Sequence, residues 1–283
     1  MKKTLVAIGK AALYILFSVL IQFVVSFAHC VISGALFAIR HMDIFSRNPE
    51  AVLNTFFYEY AEEPVGKILL ISNVIALLLI WLFFLIRRRK FTQEVELVKT
   101  RWTNLAAAVV YGFGMSFSIT FVTGLLVEIL PISQATIDAH LAASALTESD
   151  YTLTGILSTV VIAPIAEEVF LRGLAYTRLR RAMPPILAAV LSSLAFGLLH
   201  GDIIWFMSAF GGGLAMAWIF QRTGSLWAPI LVHMTNNALA MLVPDMTEGW
   251  GYYALVAVSL AALAGSVIYL QKTNPVVPKN QTN

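Results

Sequence analysis

Charged residues are scarce in this chain. Asp, Glu, Lys and Arg make up 12% of its 283 residues, about half the share of a soluble domain, whereas 59% are hydrophobic. This composition excludes a soluble globular enzyme and predicts a polytopic membrane protein. Cysteine is almost absent as well. Because Cys30 is the single cysteine, an internal disulfide is excluded and cysteine usage does not report a redox compartment.

The sequence consists largely of long apolar stretches. Most reach the roughly 20 residues that a helix needs to cross a bilayer, and no soluble domain fits between them. We therefore predict an all-α bundle of about eight transmembrane spans that forms one integrated membrane domain. Residues 1–150 would hold three spans and two segments outside the membrane, at about 41–66 and 131–152. Residues 151–271 would hold the remaining spans, and residues 272–283 would form a disordered tail. The stretches are 11–39, 67–86, 103–130, 153–172, 185–200, 203–220, 226–243 and 252–270.

The basic residues predict an orientation. They cluster before the first stretch and after the second, fourth, sixth and eighth, which lie on one side if eight spans alternate. The positive-inside rule then places both termini in the cytoplasm. The formal net charge of +3 is thereby explained by contact with an anionic inner leaflet rather than by nucleic acid. We expect a multi-pass protein of the cell (plasma) membrane.

The fourth stretch carries ionisable side chains that are costly in lipid, at least ~2.5 kcal/mol each. Glu168 and Arg172 are four residues apart, share a helix face and are predicted to pair. Glu167 points about 100° away from Glu168, so we predict that it is the reactive group. Pro164, almost one turn earlier, removes a backbone hydrogen bond and predicts a kink or an opening to water.

Two later stretches add polar groups in the same spacing of four. Phe196 and His200 share one helix face, and His233 and Asn237 share another. Three spans would thus each present one polar face to a common point, with Phe196 as a packing residue beside it. The alternatives are a buried structural ion network and histidine or asparagine side chains that only join helices by hydrogen bonds.

These residue types together suit the hydrolysis of an amide bond. A carboxylate can act as general base on water, an imidazole can hold that water or a metal, and an asparagine amide can donate to an oxyanion. Glu167, His200 and His233 also meet the ligand count of a catalytic zinc site. The His-Glu-x-x-His helix of many zinc proteases is absent, so zinc stays open as a cofactor.

Three motifs follow one another along the chain: Glu167-Glu168-x-x-x-Arg172, Phe196-x-x-x-His200 and His233-x-x-x-Asn237. In this order they resemble the CPBP family of intramembrane proteases. This family includes the type II CAAX prenyl endopeptidases and the bacteriocin-processing and immunity proteins of the Abi group, and it is classed among the metalloendopeptidases. The resemblance covers about residues 150–243 and implies an eight-helix bundle with a membrane-embedded cavity. It also implies that Glu167, helped by His200, activates water and that Asn237, with His233, stabilises the oxyanion.

We therefore predict an intramembrane endopeptidase that processes a membrane-associated peptide or protein. Its predicted catalytic residues are Glu167, Glu168, Arg172, His200, His233 and Asn237. One alternative is a membrane scaffold or immunity-type protein that binds a partner without catalysis. Another is a proton-coupled transporter that uses Glu167 as a relay, although the sequence lacks the inverted repeat typical of transporters.

Overall fold

The computed structural model describes residues 2–42, 50, 54–56, 65–148, 151–243 and 249–274. Every regular element within these ranges is helical. The helices are α1 (Lys2–Arg40), α2 (Val65–Ile86), α3 (Phe91–Glu94), α4 (Trp102–Ile129), α5 (Gln134–Glu148), α6 (Leu153–Leu179), α7 (Pro185–Leu198), α8 (Ile203–Thr223), α9 (Trp227–Leu242) and α10 (Gly249–Thr273).

Each of the eight predicted apolar stretches forms a helix. Six of these helices, with 21 to 39 residues, are long and apolar enough to cross a bilayer: α1, α2, α4, α6, α8 and α10. The other two are shorter, with 14 residues in α7 and 16 in α9. The predicted all-α transmembrane architecture is confirmed, and the chain is an integral membrane protein. The number of spans and the side on which the termini lie stay predictions.

One end of the bundle collects the basic linkers. Glu96, in the linker before α4, pairs with Arg180 just after α6, and Arg101 donates to Asn274 Oδ1 at 3.0 Å after α10. The first turn of α1 lies at this end too, because Thr4 Oγ1 donates to a backbone carbonyl in the loop after α6, 3.3 Å away. The segments predicted to share one side therefore meet in space.

The opposite end is closed by α5, within one of the two predicted outside segments. His140 Nδ1 lies 3.0 Å from Asp202 Oδ2, and its ring contacts Trp205 edge-on at 5.1 Å between centroids. Asp202 sits in the tight turn between α7 and α8, which form a helical hairpin. α8 ends at Thr223 and is therefore longer than the predicted stretch 203–220. The other outside segment, 41–66, and the predicted tail lie mostly outside the described residues.

Helix α6 occupies the core and is irregular. It is π-helical over Leu157–Ile162 and Val169–Tyr176, and all eight residues of the second stretch are buried. Phe170 packs in one cluster with Phe84 of α2, and Leu171 packs in another with Val232 of α9. The part of α6 that carries Glu168 and Arg172 is thus enclosed by neighbouring helices.

Glycines let two helix pairs approach closely near these charges. A Cβ on Gly112 of α4 would lie 2.8 Å from the carbonyl oxygen of Val232 on α9. A Cβ on Gly213 of α8 would lie 2.8 Å from Ser193 Cβ on α7, whereas one on Gly211 would have its nearest contact at 3.9 Å. The glycine run of α8 therefore allows a close helix approach at Gly213.

Candidate active site

Glu168 and Arg172 form the predicted pair inside α6. Arg172 Nη1 donates to Glu168 Oε1 at 2.8 Å, and both side chains are 0% exposed. Arg172 Cζ also lies 4.5 Å from the ring centroid of Phe196, at cation–π distance. Glu168 Oε2 and Arg172 Nε and Nη2 have no hydrogen-bond partner among the described residues. A buried pair with unsatisfied atoms contributes little stability, so it favours a role beyond holding the fold.

His233 of α9 links this pair to Glu167. Its Nδ1 lies 3.1 Å from Glu168 Oε1, which already accepts from Arg172. Because an ionised carboxylate only accepts, we infer that Nδ1 carries the ring proton and that Nε2 of the neutral ring holds the lone pair. Nε2 lies 3.7 Å from Glu167 Oε2.

Glu167 is the accessible member of the charged set. Its side chain is 30% exposed, whereas those of Glu168 and Arg172 are fully buried. The separation of 3.7 Å from His233 is too long for a direct hydrogen bond but allows one water to contact both atoms. The structure pairs Glu168 with Arg172 as predicted and leaves Glu167 apart from that pair, whereas the role of each residue stays a prediction.

His200 lies beyond the helix that was predicted to carry it. α7 ends at Leu198, and Gly201 adopts a φ of 90° before α8 begins. His200 Nδ1 lies 2.8 Å from the carbonyl oxygen of Phe196, to which it donates, so Nε2 is the lone-pair nitrogen of its neutral ring. The expected contact with Phe196 survives, since the two rings meet edge-on at 4.6 Å.

Phe196 connects the predicted groups more directly than a residue that merely packs beside them. Its ring contacts His200 at 4.6 Å, His233 at 5.6 Å and the Arg172 guanidinium at 4.5 Å. His200 is thereby joined to the charged set through an aromatic ring rather than through a hydrogen bond. The spacing of Phe196 and His200 was visible in the sequence, but these contacts across helices were not.

Asn237 is engaged with the backbone of α6. Its Nδ2 donates to the carbonyl oxygen of Thr159 at 2.9 Å, and its Oδ1 accepts from Asn236 at 3.3 Å. The Thr159 carbonyl lacks a donor in its own helix, because the Ala163 N–H bonds Ser158 instead and Pro164 has no N–H. Sequence analysis missed Thr159, and the signal was Pro164 five residues later, at the π-helical spacing.

A metal site is not assembled by these side chains. Within the described ranges, no three His, Cys, Asp or Glu residues come close enough to hold an ion. Glu167 and His233 approach one another, but His200 is held at the Phe196 carbonyl. The predicted zinc ligands therefore do not fit as placed, zinc stays a prediction, and no step proposed below uses it.

Comparison with known proteins covers the part of the chain that carries these residues. Residues 149–239 match the family described as "Type II CAAX prenyl endopeptidase Rce1-like". The chain is also 26% identical over 88 residues, 31% of its length, to "Putative membrane peptidase YdiL" of Bacillus subtilis (strain 168). It spans about a third (36%) of that relative. No solved structure matches. These matches support the resemblance that the motifs indicate: residues 149–239 are similar to the Rce1-like type II CAAX prenyl endopeptidases of the CPBP family.

Proposed function

We propose that the protein is an intramembrane endopeptidase that hydrolyses a peptide bond in a membrane-associated peptide or protein. One observation carries the proposal: His233 is oriented by a fully buried carboxylate on one side and faces the accessible Glu167 carboxylate, 3.7 Å away, on the other. A water between these two atoms would meet two acceptors within a low-dielectric bundle.

Glu167 acts as the general base. It takes a proton from that water while the water oxygen attacks the scissile carbonyl carbon, and the carbonyl oxygen becomes an oxyanion. Glu167 then returns the proton to the amide nitrogen as the carbon–nitrogen bond breaks. The products are a carboxylate and an amine, and no covalent intermediate with the protein forms.

His233 holds the water through the lone pair of Nε2. Glu168 and Arg172 are positioning residues. Glu168 contacts His233 and fixes its tautomer, and Arg172 holds Glu168 in place by donating to the same carboxylate oxygen. This positioning of His233 explains why the Glu168 carboxylate and the Arg172 guanidinium lie together in the buried part of α6.

We assign Asn237 to the oxyanion and His200 to the water. The Asn237 amide has one hydrogen on Thr159 and keeps a second for a substrate oxygen. His200 has its Nε2 free of the bond to Phe196. This assignment follows the resemblance for Asn237 but gives His233 to the water rather than to the oxyanion.

The membrane location of the site indicates the class of substrate. The site residues lie on or next to helices of an integral membrane protein, so we expect the substrate to be a peptide or protein that already lies in the membrane. The family description adds prenylated C-terminal peptides as one substrate to test. We propose that the protein lies in the cell membrane with its basic linkers on the cytoplasmic side.

The experiment compares membrane peptides from cells that express wild type, Glu167→Gln or no protein. We expect new peptide termini with wild type and none with Glu167→Gln. Glu128→Gln is the matched control, because Glu128 is an exposed glutamate of α4. Identical peptide termini with wild type and Glu167→Gln would overturn the proposal. They would favour the scaffold hypothesis if the cellular phenotype also persisted.

A further inference from the structure

A groove of about 850 Å³ lies between α1 and α2, away from the charged set. Its wall on α1 runs from Lys10 to Leu20, and its wall on α2 runs from Leu79 to Ile86. We propose that this groove binds one anionic phospholipid from the leaflet at the end of the bundle where the basic linkers meet. This site is independent of the proposed peptidase activity.

The walls fit acyl chains. They are built from large apolar side chains such as Leu16, Phe17, Leu20 and Phe83, and no acidic residue lines the groove. The α1 wall covers ten residue steps, about 15 Å of helix. That is roughly half of the ~30 Å hydrocarbon thickness, so the groove has the depth of one leaflet.

The rim at one end of the groove is basic. Lys10, Arg87, Arg89 and Arg178 line it there. Arg89 and Arg178 share one acid, since Glu94 accepts from Arg89 at 3.2 Å and from Arg178 at 2.5 Å. Within the described residues, Lys10 and Arg87 have no acidic partner, and both are exposed. Two cations are therefore uncompensated at the position where a lipid phosphate would sit.

The distribution of charge selects this occupant over a helix or a peptide. Cations lie only at one end, and the rest of the groove is apolar, which matches an amphiphile with an anionic head and hydrocarbon tails. α1 also leaves room for it, because the most apolar part of this helix contains no buried residue. Phe17 of the groove contacts Phe170 of α6 at 6.1 Å between ring centroids, so the lipid would lie against the core helix.

The test is native mass spectrometry of the detergent-solubilised full chain with phosphatidylglycerol or phosphatidylcholine. We expect retained adducts with phosphatidylglycerol that weaken about tenfold or more in the double variant Lys10→Gln/Arg87→Gln. The charge-matched control Lys99→Gln/Lys272→Gln removes two exposed cations at the same end outside the groove and should bind as wild type. Inorganic phosphate should not compete, which separates a lipid site from a phosphate site.

A second variant tests the wall without changing charge. Leu20→Trp fills the groove and should lower phosphatidylglycerol retention while circular dichroism stays unchanged. Equal retention in wild type and both groove variants would overturn the proposal, as would equal retention of the two lipids. The proposal would also be overturned if the wild-type protein were a dimer and Leu20→Trp made it a monomer, because a second copy of the chain would then occupy the groove. Repeating the measurement in Glu167→Gln should give the same result, whether or not the protein is a peptidase.

Discussion

Asn237 on α9 donates a hydrogen bond to the backbone carbonyl oxygen of Thr159 on α6, at 2.9 Å. This carbonyl is left without a helical donor by the π-helical bond of Ala163 and by Pro164. In lipid, an unsatisfied carbonyl is costly because no water replaces the missing donor. Asn237 thus has a structural task in addition to the proposed contact with an oxyanion.

Replacing Asn237 by Ala should therefore destabilise the fold as well as reduce activity. We expect a loss of about 1–3 kcal/mol, the cost of one unsatisfied buried acceptor, in unfolding measured in detergent micelles. Pro164→Ala restores an N–H five residues after Thr159, so it should reduce the effect of Asn237→Ala in a double-mutant cycle. Asn236→Ala, which leaves the Thr159 bond in place, is the control. Wild-type stability of Asn237→Ala would show that the bond to Thr159 contributes nothing.

The pair Glu168 and Arg172 should be far more sensitive than an exposed pair. Glu168→Gln leaves a guanidinium uncompensated in the core, and we expect about 3–5 kcal/mol of lost stability. The same measurement on Arg89→Gln, whose side chain is 60% exposed, should show less than about 1 kcal/mol. The double variant Glu168→Leu/Arg172→Leu should recover stability but not activity, because His233 loses its orienting carboxylate. Recovery of both would remove the positioning role.

Gly213 should not tolerate a methyl group. A Cβ there would lie 2.9 Å from Ser193 Oγ and 3.0 Å from Arg172 Nη2, in a packed interior. We expect Gly213→Ala to cost about 1–3 kcal/mol in thermal unfolding. Gly211→Ala, two residues earlier on the same helix, has room and should be neutral or stabilising by about 0.5–1 kcal/mol. If the two variants unfold alike, the close approach of α7 and α8 does not matter.

Asp202 should make the stability of the turn between α7 and α8 sensitive to pH. Partial burial raises the pKa of Asp202, but hydrogen bonds from His140 and from backbone N–H groups at the start of α8 outweigh it. The pKa of Asp202 therefore lies below its ordinary value of 3.8. A lowered folded-state pKa stabilises the fold above the unfolded pKa, and the gain is lost as pH falls through the folded value.

At pH 7, Asp202→Ala should lose about 1 kcal/mol, as expected for a helix N-cap. The difference from wild type should shrink as the pH is taken well below 3.8, in thermal melts that compare the two proteins. Asp202→Asn keeps a capping oxygen and should lose less. A difference that stays constant from pH 7 downward would contradict the assignment.

Local spacing was enough to predict the helices and the pair within α6. Apolar stretches of about 20 residues allow few alternatives to helices, and the separation of Glu168 and Arg172 fixes their relative position on any helix. The same rule separated Glu167 from the pair. These are properties of a single element, which the sequence carries in full.

Contacts between different helices could not be predicted from the spacing of residues within one helix. The bond of His233 to Glu168, the cation–π contact of Arg172 with Phe196 and the end of α7 before His200 depend on how helices cross. The position of Asn237 depends on a π-helical register that no propensity encodes. Pro164 gave the signal for the irregularity but did not identify the carbonyl that it would leave free.

The role of Glu167 as general base is tested most directly by turnover of a peptide whose cleavage by wild type has been found in the membrane peptide comparison. We expect Glu167→Gln to lower kcat by about 100-fold or more, the usual contribution of general base catalysis, with unchanged folding. Glu128→Gln should retain wild-type kcat. Wild-type kcat in folded Glu167→Gln would contradict the account.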